Sequence, residues 1–220
     1  MLFKQIKETE LTELSRQVIL DYADYKRGIE TFVKIIEREN RKLPWDFNET
    51  SEALWNGKFD YTTTNLEMLM WVIGRMGTTR SFNVLMKFAT GDYHPYVRCE
   101  AVYGLTMADV PQREFRNLAL QKLRSPLHRL DLYSGIMIFS HCHYRFKAGP
   151  VIEVLKPFLD HPIYGVRMHA AYAIANWEAE KILLREYRKT LTLDGSNEHD
   201  GYLAQRIEEM TAPNWPFASG

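Results

Sequence analysis

With 220 residues the chain can bury a sizeable core in one or two domains, and its 28 basic residues balance 28 acidic ones, so no overall field draws it to nucleic acid or an anionic membrane. Cys99 and Cys142 lie outside any Cys-x-x-Cys pair, which excludes a disulfide framework or a zinc knuckle and leaves two reduced thiols. Residues 1–10 mix Lys and Glu, unlike a secretory signal, and the longest apolar run, Leu66 to Gly74, is far short of the roughly 20 residues a bilayer span requires; the expectation is a soluble, cytoplasmic protein.

Thr9 can cap a first helix from about Glu10, with Leu11, Leu14, Val18, Ile19 and Tyr22 at helical spacing. A second helix runs from about Lys26 to Arg41 with Ile29, Phe32, Val33 and Ile36 on one stripe, and Leu43-Pro44-Trp45 ends it. From Asp46 to Thr64 no period holds. Trp45, Phe47, Trp55, Phe59 and Tyr61 are too aromatic for a solvated linker, so this loop is expected to pack on the rest or to contact a partner.

Helices then alternate with turns. Asn65 to Met76 is closed by Gly77, and Arg80 to Ala89 is a short helix ending before Gly91-Asp92. The next helix opens at Pro95, where proline suits the first turn. Pro111 to Leu123, Leu127 to Phe139, and a helix opening at Pro150 with a kink at Pro157 follow. Asp160-His161-Pro162 echoes Tyr93-His94-Pro95 before a helix through Val166 to Ile174. Glu178 to about Thr190, a turn at Asp194-Gly195-Ser196, a helix of about Glu198 to Met210, and a tail from Ala212 to Phe217 complete the chain.

One pattern recurs within this order. Asn65, Val97, Leu130 and Val166 begin equivalent helices at intervals of 32, 33 and 36 residues, which is repeat spacing. Val97-Arg98-Cys99-Glu100-Ala101-Val102-Tyr103-Gly104-Leu105 and Val166-Arg167-Met168-His169-Ala170-Ala171-Tyr172-Ala173-Ile174 resemble HEAT-like repeats, and Ile73-Gly74-Arg75-Met76-Gly77, followed by Arg80 and Asp92, is similar to that family's link between units. The third copy departs from the pattern, with Asp131 where the others have Arg98 and Arg167; the first has Leu66 there. The resemblance covers about half of the chain. It implies an all-α fold: a short right-handed α-solenoid of helix pairs over residues 65–177. Residues 1–64 are expected to cap it at one end and residues 178–220 at the other.

At about 100° per residue, Val97, Ala101, Val102 and Leu105 share one side of their helix, as do Val166, Ala170, Ala171 and Ile174; these form the core. The opposite side should be polar, yet it carries Trp71, Tyr103, Ile136 and Tyr172, with Cys99, Leu132, Phe139 and Met168 nearby and Glu67 in the first copy. An apolar outward face needs a cover. The N-terminal helices or aromatic loop can fold back over it, a protein partner can be gripped there by Trp71, Tyr103, Leu132, Ile136, Phe139, Met168 and Tyr172, or a small molecule can lie in a cleft; few convergent polar groups favour the last. Arg98 and Arg167 point toward the core and therefore require carboxylates, for which the turn residues Asp92 and Asp160 are the nearest in sequence.

Catalytic patterns are sparse. His141-Cys142-His143 pairs imidazole with thiolate, but on a helix its two histidines diverge by about 200°, so no metal or cofactor is expected. The resemblance also brings in two enzyme groups: metal-dependent hydroxylases, whose His-Glu pairs this sequence lacks, and DNA-base glycosylases, for which Asp131 near Tyr103 and Tyr172 would be the acid and aromatics. The balanced charge disfavours the second. The reading that fits best is a non-catalytic protein-binding module, an adaptor or an immunity-type inhibitor that neutralises a toxin, with DNA-base excision as the alternative.

Overall fold

A computed structural model describes residues 25–43, 61–108, 111–194 and 198–213, with side chains from residues 28, 66 and 199 onward in the first, second and last of these segments. The expected helix of Glu10 to Tyr22, the aromatic loop of Asp46 to Thr64 except its helical end from Tyr61, the Gly195-Ser196 turn and the tail beyond Pro213 lie outside them. All regular secondary structure among the described residues is helical. They form α1 (Tyr25–Asn40), α2 (Tyr61–Arg75), α3 (Thr79–Thr90), α4 (Pro95–Thr106), α5 (Gln112–Arg124), α6 (Arg129–His141), α7 (Ala148–Leu155), α8 (Tyr164–Ala175), α9 (Lys181–Arg188) and α10 (Glu198–Met210). No helix among them is long and apolar enough to cross a membrane.

The chain divides into two compact units, residues 1–110 and 111–220, so the break falls between α4 and α5, inside the stretch that the sequence reads as one array. In the first unit α2 and α3 both pack on α4, and α1 packs on α2. Ile29, Phe32 and Ile36 of α1, Leu69 and Ile73 of α2, Leu85 and Phe88 of α3, and Val97 and Leu105 of α4 are buried together in its core. Surface pairs Arg80 to Glu30 (2.7 Å) and Lys87 to Glu37 (2.8 Å) tie α3 to α1. In the second unit α6 packs on α5 and α8, while α8 meets α7, α9 and α10.

Local chemistry sets the helix ends. Gly77 adopts φ +63°, a left-handed backbone that only glycine takes without strain, and so stops α2. Thr78 and Ser81 then form a reciprocal capping box at the start of α3. Pro157 ends the α-helical hydrogen bonding of α7, which continues as a short 3-10 segment, Lys156–Asp160.

One device recurs ahead of three helices. His94 Nδ1 accepts the backbone N–H of Tyr96 (3.2 Å), His128 Nδ1 that of Leu130 (3.1 Å), and His161 Nδ1 that of Ile163 (3.1 Å). Each ring satisfies an amide of the turn that opens α4, α6 or α8, and each must be neutral at Nδ1 to do so.

Those helix starts correct the register of the third copy. Aligned from their first residues, α4, α6 and α8 place Val97, Asp131 and Val166 third, Ala101, Gly135 and Ala170 seventh, and Val102, Ile136 and Ala171 eighth. Leu132, not Asp131, therefore stands where Arg98 and Arg167 stand. The sequence alignment began the copy at Leu130 because that residue opens an apolar run, one position too early.

Candidate functional site

Burial separates the seven residues expected to line an outward face. Leu132 (7 % exposed), Ile136 (0 %), Phe139 (1 %) and Met168 (9 %) are buried in the chain's own packing and do not supply accessible surface. The one-residue slip accounts for two of them: Ile136 occupies the core position of Val102, and Phe139 that of Leu105. The ninth helix position holds Tyr103, Met137 and Tyr172, and each of these is half-buried, as is Trp71. Met137 is thus the outward residue that sequence reasoning missed. Counting from the turn histidine, instead of from the apolar run, finds it.

In the second unit Tyr172 has company. Arg206 of α10 sits over its ring, 5.5 Å from the centroid, and donates from Nε (3.0 Å) and Nη2 to its hydroxyl. The C-terminal helix therefore shields one side of Tyr172, a cover the sequence reading did not include.

In the first unit α2 and α4 run side by side at backbone contact. A Cβ on Gly104 would lie 2.4 Å from the Met70 carbonyl oxygen, and one on Gly74 2.0 Å from the Gly104 oxygen. Trp71 follows Met70 and Tyr103 precedes Gly104, so both residues are sequence neighbours of this contact. Arg75 lies 5.6 Å from the Trp71 ring centroid, a cation over the face of an indole. Two turns nearer the N-terminus of α4, the Tyr96 hydroxyl donates to Glu67 Oε1 (2.7 Å). Glu100 is half-buried beside them. Burial, and then the Glu67 carboxylate, push its carboxyl up to about 8.

Asp92 and Asp160 are the carboxylates expected for Arg98 and Arg167. Arg98 is buried, and its guanidinium donates to the Tyr93 carbonyl (2.7 Å), beside the exposed Asp92. Arg167 pairs with Asp200 of α10 (2.9 Å), which also accepts the Thr192 amide (3.2 Å); Asp160, its expected partner, is exposed. A carboxylate 33 residues downstream displaces the local one because α10 closes over α8.

Asp131, the acid of the glycosylase alternative, is buried and occupied. It accepts from Lys122 Nζ (2.7 Å), Leu127 N (3.2 Å) and His128 N (3.1 Å), completing the capping box of α6. A carboxylate so engaged is a structural ion pair and not a poised acid. The His-Cys-His segment does not gather either: Cys142 is buried with its thiol pushed up to about 11 by burial, and His143 faces the Ser140 carbonyl and the Trp177 ring. No group of three or more His, Cys, Asp or Glu side chains able to hold a metal occurs among the described residues. In comparisons with known proteins, no family model, curated protein or solved structure matches this chain.

Proposed function

We propose that this chain is a non-catalytic protein-binding module built from HEAT-like helix pairs, acting in the cytoplasm as an adaptor or as an immunity-type inhibitor. The observation that carries the reading is the pair Trp71 and Tyr103: two large aromatic side chains held half-exposed beside a rigid backbone contact, with the core residues Val72 and Val102 next to them fully buried. Aromatic rings fixed in this way lose little entropy on docking and often dominate interface energetics. The engaged state of Asp131 and the protonated thiol of Cys142 leave acid–base and metal chemistry without their expected groups.

The test is affinity capture from the native cell, followed by titration of the purified partner against wild type and a Trp71→Ala, Tyr103→Ala double variant of unchanged helicity. Truncating such anchors is expected to weaken binding by about 2 kcal/mol or more, some thirtyfold. Undiminished affinity in the double variant sinks the reading.

A further inference from the structure

Helix α5 of the second unit carries a charge pattern that the fold does not use. Arg113, Arg116 and Arg124 are exposed. At about 100° and 1.5 Å per residue they fall, with the exposed Asn117, within about 100° of arc on one side of the helix and along about 17 Å of its length. The other side is buried through Phe115, Leu118 and Ala119, and there the fourth base, Lys122, binds Asp131. Surface bases of other helices are answered by acids: Arg80 by Glu30, Lys87 by Glu37, Arg188 by Glu208 and Lys189 by Glu186. No such ion pair engages Arg113, Arg116 or Arg124 among the described residues, and the helix sequence shows why. Within α5 no Asp or Glu stands three or four positions from any of the three, the spacing at which helix side chains pair. Arg113 and Arg116 are themselves three apart and repel each other, and Arg113 lies in the first turn, where the helix dipole disfavours a cation. Local stability therefore does not account for the stripe.

Its chemistry defines what it can hold. All three bases are arginine, whose planar fork matches a carboxylate or a phosphate with two parallel hydrogen bonds. Two features favour the carboxylates of a polypeptide. The exposed Glu114 stands in sequence between Arg113 and Arg116; a nucleic-acid strand carries a negative charge at every step and meets that glutamate with one of them, whereas a polypeptide places its acids selectively. Apolar side chains are also exposed toward both ends of the helix. Leu127, 84 % exposed, follows three residues after Arg124. Tyr144, 65 % exposed, is linked to the N-terminal half by Arg145, whose guanidinium lies 5.5 Å from the Tyr144 ring centroid and 5.9 Å from that of Phe115. Arginines accompanied by exposed aromatic and aliphatic side chains suit a protein partner. We propose that the exposed face of α5 is a docking surface for an acidic segment of a partner protein, with Arg113, Arg116 and Arg124 gripping its carboxylates and Leu127 meeting an apolar side chain at one end.

This surface goes beyond the reading given above, since it belongs to the second unit and shares no residue with the Trp71 and Tyr103 pair. Its attraction is electrostatic and solvent-exposed, so salt weakens it, whereas anchoring by buried aromatic area is insensitive to salt.

The probe is the peptide acetyl-Glu-Glu-Leu-Glu-Glu-Leu-Glu amide, titrated into ¹⁵N-labelled full-length protein, with the same peptide carrying Gln for every Glu as the uncharged control and oligodeoxythymidylate of equal charge as the nucleic-acid arm. The expected result is saturable movement of the Arg113, Arg116 and Arg124 side-chain Nε resonances with the acidic peptide and none with the Gln peptide, weakening at least about threefold between about 50 and about 300 mM salt. An Arg113→Gln, Arg116→Gln, Arg124→Gln variant, altered only at exposed positions and with a residue of similar helix propensity, is expected to keep its helicity and to bind at least about tenfold more weakly. Removing the same charge elsewhere, with Arg80→Gln, Lys87→Gln and Lys189→Gln, is expected to leave peptide binding unchanged. Equal binding of the Glu and Gln peptides, equal weakening by the two triple variants, or tighter binding of oligodeoxythymidylate than of the acidic peptide overturns the inference. Absence of peptide binding together with partner capture that depends on Trp71 and Tyr103 removes this surface and leaves the earlier reading standing. Peptide binding through the three arginines, with capture that needs them and is indifferent to the two rings, keeps this surface and removes that anchor pair.

Discussion

Replacing Gly74 by alanine tests the backbone contact that positions the Trp71 and Tyr103 rings. The added Cβ would lie 2.0 Å from the Gly104 carbonyl oxygen and 2.9 Å from its carbonyl carbon, whereas a methyl needs more than about 3 Å from an oxygen. Because the obstacle is main chain and not a swinging side chain, α2 and α4 must part by about 1 Å, loosening the buried Met70 and Ile73 beside the contact. Overpacking of this kind costs about 1–3 kcal/mol, and helix propensity returns at most about 1 kcal/mol for removing a glycine. A net loss of about 2 kcal/mol is expected. Gly201 of α10 supplies the control, since nothing lies within 4 Å of a Cβ built there; Gly201→Ala is expected to gain about 0.5–1 kcal/mol. Urea unfolding followed by circular dichroism at 25 °C measures both. A Gly74→Ala protein as stable as wild type would refute the contact argument, and with it the fixed spacing of the two rings.

Three further outcomes follow from other parts of the structure. Asp131→Ala strands a buried Lys122 ammonium and two amides and is expected to cost about 3–5 kcal/mol, read as a fall in urea midpoint; Lys122→Met with Asp131→Leu should recover much of it. The His169 ring is held down to about 4 by burial and then by His141, below its unfolded value, so the unfolded chain takes the proton first. Its stability contribution is therefore intact above about pH 6.5 and lost as pH falls toward 4, on the order of 3 kcal/mol in total; a melting temperature that does not fall from pH 7 to 5 would contradict it. His161 ahead of α8 acts in the same direction, its ring held below the usual imidazole value first by burial. Finally, a disulfide reagent at pH 8 should modify the half-exposed Cys99 first, with Cys142 reacting only on unfolding, because its thiol is buried and pushed up to about 11; two thiols reacting together in the native protein would refute the burial argument.

Much of the helix order was legible because it depends on local signals. Gly77, Pro95, Pro157 and the periodic apolar runs each act within one or two turns, and the structure places helix ends within two residues of most sequence boundaries. Features that depend on distant chain were not legible. Asp200 reaches Arg167 only because α10 folds onto α8, and no sequence rule selects it over the nearer Asp160. Ile136 and Tyr103 look alike as bulky residues late in a helix, yet one is core and the other half-exposed; the distinction turns on a single residue of register that the apolar run from Leu130 disguised. Glu100 shows the same limit, since a lone glutamate in an amphipathic segment carries no mark of the Glu67 carboxylate that the neighbouring helix brings beside it.

The glycine contact between α2 and α4 has a consequence for tolerance to change. Where helices meet through side chains, every substitution in the seam resets their separation. Here the gauge is main chain against main chain, at Gly104 and the Met70 carbonyl, so the seam's width does not depend on the size of the residues around it. Trp71 and Tyr103 can accordingly be exchanged for other rings while the frame that holds them keeps its dimensions.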